Sequence, residues 1–191
     1  MMDKAKRYLI MAEQYYSSAK ILLEEMISSG NYTCGFGKTE KDAEKEMLRN
    51  SSLSDAKLFL PALFLCYQSV ELFIKGVLKL NEKNIEKSHE MSNMLNDLRQ
   101  IYGSKEQIYK EFYDFYKYQI EILNKYTKEN DITTIKELYE SLRYPENRGR
   151  KYSYQSLRYN GKYGIKMFEN LLEKMKKIRE NVLTEYKNKV D

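Results

Sequence analysis

The chain has 191 residues, a formal net charge of +5, two prolines, eight glycines, one histidine and two cysteines. That length is most simply a single domain with a sizeable core. The absence of long Val/Ile/Thr alternation argues against a β-protein. A lone histidine and two scattered cysteines leave no zinc site and no disulfide framework, so no metal or cofactor is expected and a cytoplasmic location is the default. No apolar run approaches the ~20 residues of a membrane helix, so no membrane partner is expected. Glu13 interrupts the opening MMDKAKRYLIMAEQ too early for a signal peptide.

The first predicted helix runs from about Asp3 to Ser28. Tyr8, Met11, Ala12, Tyr15, Ala19, Leu22, Leu23, Met26 and Ile27 recur at three and four as one buried stripe, and Gly30 ends it. A polar insert at about 30–53 follows, in which Thr39 caps a short charged helix through Arg49. The stretch Ser54 to Asn81 is the predicted central helix. Ser54 is its N-cap and Asp55 lies in the first turn, where a negative charge suits the helix dipole. Its first half is apolar on every face, which requires enclosure by other helices, and Phe64, Leu65, Leu72 and Val77 are expected to be buried. Pro61 is expected either to kink this helix or to mark its start. Glu71 and Lys75 are four apart in the favourable order, read as a pair on a partly exposed face.

Ser88 is the predicted cap of a helix bearing Met91, Met94, Leu95, Leu98 and Ile101, stopped by Gly103. Ser104 is the expected cap of the next helix, with Ile108, Phe112, Phe115, Ile120 and Leu123 inward. Residues 127–133 read as a polar link and Thr134–Leu142 as a short helix. The last helix is predicted from Lys166 to Lys187. The whole is all-α: an antiparallel up-and-down bundle of four to five long helices in a single domain spanning 1–191.

Charge is concentrated in the irregular segment 143–166, RYPENRGRKYSYQSLRYNGKYGIK. It holds seven basic residues and one acid, Glu146, whereas the rest of the chain holds 26 basic and 27 acidic residues. Five tyrosines interleave with the cations. Cations that neutralise phosphate, alternating with rings that stack on bases, suit single-stranded nucleic acid or a nucleotide. The alternative is a solvated loop whose tyrosines cover the ends of the bundle. Arg148, Arg150 and Lys151 crowd together around Gly149 and repel one another unless an anion sits among them. They form the candidate phosphate-binding set with Arg158, and Tyr152 and Tyr154 are the candidate stacking rings. His89, just after Ser88, is expected neutral near a helix N-terminus. It is either a general base or a capping and packing residue.

The segment YQSVELFIKGVLKL, then KSHEMSNMLNDL, then SLRYPENR resembles the HEPN family of small α-helical bundles. The family positions carried over are Glu71 and Lys75 on the apolar helix, His89 at the next helix, and Arg143, Tyr144 and Pro145 before the last. The resemblance implies a homodimer that binds RNA or a nucleotide. It also implies a toxin–antitoxin or phage-defence setting, with a nucleotidyltransferase as a partner protein. Nuclease members carry an arginine separated from the histidine by four to six residues and cleave RNA without metal. Here residues 82–84 before His89 are Glu82, Lys83 and Asn84, and lysine lacks the planar fork that grips phosphate in two places. The leading expectation is therefore a binding bundle. The alternatives are a metal-independent endoribonuclease toxin, with His89 as base and Arg143 or Arg148 on phosphate, and a non-catalytic partner of a nucleotidyltransferase.

Overall fold

The computed structural model describes residues 2–83, 91–147, 149–159 and 161–190. Eight α-helices are found among them: α1 (Met2–Ser28), α2 (Glu40–Ser52), α3 (Asp55–Leu80), α4 (Met91–Tyr102), α5 (Gln107–Ile122), α6 (Asn124–Glu129), α7 (Ile135–Ser141) and α8 (Gly161–Val190). A two-stranded hairpin, β1 (Glu146–Asn147) and β2 (Arg150–Lys151), and one 3-10 turn at Gln155–Leu157 lie between α7 and α8. The fold is all-α, as the hydrophobic periodicity predicts.

Helix α3 is the centre because it has no face to give to water. Sixteen of its 26 residues are buried, including Phe59, Leu63, Phe73, Ile74 and Val77, so α1, α4 and α8 must enclose it. By length and composition the stretch Glu40–Leu80 does hold a window apolar enough to cross a membrane, contrary to the sequence reading. More than half of that window is buried inside the bundle, so its apolarity is that of a core. Helix α1 runs antiparallel to α3 and closely against it: a Cβ on Gly76 would come within 2.3 Å of Leu9 Cδ2. The Ser69 hydroxyl donates to the Ala12 carbonyl across the same contact at 3.0 Å. Ser54 caps α3 as expected, accepting from Ala56 N–H, and the helix continues through an exposed Pro61. Thr39 caps α2, and Thr134 and Glu137 form a complete capping box at α7.

Several expectations are corrected. Phe64 and Leu65 are only partly buried, because the enclosing helices reach Leu63 and Cys66 and leave that edge open. Leu63→Ala should therefore cost about 2–5 kcal/mol. Leu65→Ala should cost less than about 2 kcal/mol, since its side chain already meets water. Equal losses in denaturant unfolding of the two variants would contradict this placement. Ser104 does not cap α5: the N-cap position is Glu106, without a side-chain bond, because Gly103 at φ 82° turns the chain before the helix begins. Residues 127–129, expected to begin a polar link, instead end the helix α6, with the buried Tyr126 anchoring it to the core. Helix α8 starts at Gly161, five residues before Lys166, where Gly161 N–H bonds the Asn31 carbonyl. Glu71 and Lys75 are buried, not partly exposed: a helix enclosed on its sides leaves them no solvent. Both cysteines are free, Cys34 exposed and Cys66 in the core, where burial pushes its thiol pKa up.

Candidate nucleic-acid interface

The segment between α7 and α8 is held by side-chain clamps rather than by regular structure. Asn130 is buried at the end of α6. Its amide donates to the Ser153 carbonyl at 3.0 Å and its carbonyl oxygen accepts from Ser153 N–H at 2.7 Å. The Tyr154 hydroxyl bonds the Ser141 carbonyl at 2.7 Å, and its ring stacks on Tyr126 with centroids 5.9 Å apart. The Tyr159 hydroxyl donates to the Ile122 carbonyl at 2.5 Å, and its ring meets Phe59 edge-on. Burial raises the pKa of both phenols, so these rings stay neutral hydrogen-bond donors.

A buried polar node fixes the segment's far end. Asp55 is 5 % exposed and Asn31 fully enclosed. The Asn31 amide donates to the Asp55 carboxylate at 3.3 Å and to the Tyr159 carbonyl at 3.0 Å, and its oxygen accepts from Asp55 N–H at 2.8 Å. The Asp55 carboxylate also accepts from Tyr159 N–H. Gly164 lies against this node, where a Cβ would come within 1.8 Å of the Tyr159 carbonyl oxygen. The expectation that tyrosines cover the bundle's end thus holds for Tyr154 and Tyr159.

The candidate phosphate-binding residues separate into two places. Arg150 and Lys151 stand exposed on β2, with Arg150 Nη1 donating to the Asp131 carbonyl at 3.1 Å. Gly149 takes φ 82° in the hairpin turn with nothing within 4 Å of its Cβ position, so its role is the turn. Tyr152 is partly buried beside β2, its N–H bonding the Pro145 carbonyl at 3.0 Å. Arg158 instead faces a cleft of about 720 Å³ between the α5–α6 junction and the start of α8. Lys125 and Lys166 line it with Arg158, against one carboxylate, Glu121. Tyr118, Tyr159 and Tyr163 supply its rings, and Asn124 and Asn170 its amides. Tyr163 is 71 % exposed. Ser156 is also part of this wall, with its hydroxyl buried and unbonded. Lys125, Asn124, Asn170 and Tyr118 were not predicted. They lie outside the basic segment in sequence, and only the docking of α5 and α6 on α8 brings them there.

The residues carried by family resemblance gather at the other side of α7. Lys75 Nζ lies 2.5 Å from Glu71 Oε1 in a buried pair. Tyr139 packs on Tyr67 and Phe64, and burial followed by the Glu71 charge raises its pKa. The exposed Arg143 guanidinium lies over both Tyr139 and Tyr144, at 5.6 and 5.3 Å from the ring centroids. Pro145 follows, exposed, at the start of the hairpin. His89 and Arg148 lie outside the described residues, as does the Ser88 cap.

An all-α bundle that encloses a charged Glu–Lys pair on its central helix, with a basic segment before its last helix, is the class these features define. The HEPN domain family model matches residues 38–186, and the chain belongs to that family. Comparison with curated proteins and with solved structures gives no match.

Proposed function

We propose that this HEPN bundle binds single-stranded RNA along its basic segment. The observation that carries this reading is a set of cations without carboxylate partners among the described residues. Arg143, Arg150, Lys151, Arg158, Lys162 and Lys166 are all exposed, and among the described residues none of them forms a salt bridge. Elsewhere on this surface cations do find carboxylates: Arg7 with Asp3, Lys20 with Glu24, Lys177 with Glu173 and Arg179 with Glu13. A polyanion would supply what the segment's own sequence withholds. Stacking falls to the exposed Tyr163 rather than to Tyr154, whose ring and hydroxyl are committed to Tyr126 and Ser141.

A salt titration of single-stranded RNA binding tests this. Arg150→Ala and Lys151→Ala should each weaken binding and flatten the salt slope by roughly 0.7 for every phosphate left without its cation. Tyr163→Ala should cost about 1–3 kcal/mol with the slope unchanged. Absence of RNA binding by the wild type at low salt would turn the segment into a protein-docking surface instead.

A further inference from the structure

The hairpin that carries Arg150 and Lys151 is too short to hold itself. Its strands pair only Glu146 with Lys151 and Asn147 with Arg150, and a lone two-stranded hairpin is marginal in water even when longer. Its shape depends on ties to the elements around it. On the β2 side, Asn130 stands buried at the end of α6. Its amide donates to the Ser153 carbonyl at 3.0 Å and to the Tyr126 carbonyl at 2.9 Å, and its oxygen accepts from Ser153 N–H at 2.7 Å. One side chain thus engages both backbone groups of Ser153, as a neighbouring strand would. The next residue, Asp131, takes φ 49° and offers its carbonyl to Arg150 Nη1. That bond uses one of the guanidinium donors and leaves the others for a ligand. On the β1 side, Asn147 Nδ2 donates to Glu140 Oε2 at 2.7 Å. This second tie also has an electrostatic effect. Glu137 and Glu140 are the carboxylates of α7, the helix just before the hairpin. Thr133 and Thr134 N–H groups bond Glu137, and the Asn147 amide bonds Glu140. Neutral donors occupy both acids, and neither forms a salt bridge with Arg150 or Lys151.

We propose that Asn130 and Asn147 are positioning residues for RNA binding, which hold the hairpin preformed so that Arg150 and Lys151 meet the strand without first being ordered. This rests on the reading that the basic segment binds single-stranded RNA. The experiment joins two measurements on wild type, Asn130→Ala, Asn147→Ala and Arg150→Ala, at a temperature where circular dichroism shows each protein folded. The first is trypsin cleavage after Arg150 or Lys151 without RNA, with the sites mapped by mass spectrometry. Freed of either tie, the hairpin opens more often, and cleavage there should be about fivefold faster or more. The second is a salt titration of binding to a single-stranded oligoribonucleotide. Asn130→Ala should weaken binding about threefold to tenfold, the cost of ordering one or two side chains on contact. Its salt slope should stay that of wild type, because both cations are still present to reach phosphate. Arg150→Ala should flatten the slope instead. Asn130 also bonds within α6, so if its variant does not fold, Asn147→Ala carries the test, since Asn147 lies on the surface hairpin and should lose affinity likewise. Faster cleavage with wild-type RNA affinity would reduce the two residues to a structural role and overturn the proposal, and so would cleavage at the wild-type rate. If wild type itself binds no RNA, the underlying reading fails and this inference with it; if wild type binds and the variants bind equally, only the inference fails.

Discussion

Lys75→Ala should lower the unfolding free energy of the bundle by about 3–5 kcal/mol, a large fraction of what a domain of this size has. Lys75 and Glu71 are 8 % and 4 % exposed, and their charged atoms are 2.5 Å apart. Removing the ammonium takes one partner from an almost wholly enclosed carboxylate that lies near Tyr139. The cost is the desolvation of that charge, not the strength of the pair itself. The double change of Glu71 and Lys75 to Met should therefore lie closer to wild type than Lys75→Ala does. Denaturant unfolding of the three proteins measures this directly. A Lys75→Ala protein within about 0.5 kcal/mol of wild type would mean that Lys75 is not what holds this carboxylate in the core.

Asn31→Ala is the second large effect, and it couples stability to the site. The side chain makes three bonds that no other group replaces, to Asp55 N–H, to the Asp55 carboxylate and to the Tyr159 carbonyl. Each buried partner left unsatisfied costs about 1–3 kcal/mol, so a combined loss of about 2–4 kcal/mol is expected after partial relaxation. Tyr159 follows Arg158 directly, so the same change should weaken RNA binding through the basic segment. Gly164→Ala presses on the same Tyr159 carbonyl from the other side and should reproduce both effects. An Asn31→Ala protein with wild-type melting and wild-type RNA affinity would show that the node holds nothing in place.

The parts legible in the sequence are those set by local chemistry. Ser54 and Thr39 could be named as caps because a hydroxyl just before a helical stretch can accept from its first free N–H groups, and both bond as expected. The spacing of Glu71 and Lys75 gave their pairing but not their burial, since burial depends on how many helices surround α3. The apolar first half of α3 could not say which side stays open, and so Leu65 and Leu63 were indistinguishable. The basic segment was legible as charge. Its division into a hairpin and a cleft was not, because Gly149 and Arg158 are separated by clamps from Asn130, Ser141 and Asn31, residues that local patterning reads as ordinary polar positions. Five of the cleft's twelve lining residues belong to α5 and α6, whose Lys125 and Asn124 carry no local signal at all.

The Asn31–Asp55 bonds also tie together the two ends of everything between them. The Ser29 hydroxyl adds a 2.9 Å bond to the Leu53 carbonyl at the same base. The 23 residues between Asn31 and Asp55 thus form a loop closed at its root, and its helix α2 has no buried residue. Closing such a loop costs only about 0.6 kcal/mol more for each doubling of its length. From Tyr32 to Leu53 the loop holds no buried residue, so the bundle tolerates changes of its content there, while Ser54 is kept as the cap of α3. Lengthening or shortening the loop there should leave the wall beside Tyr159 in place, because Asn31 and Asp55, which seal the loop, also hold Tyr159.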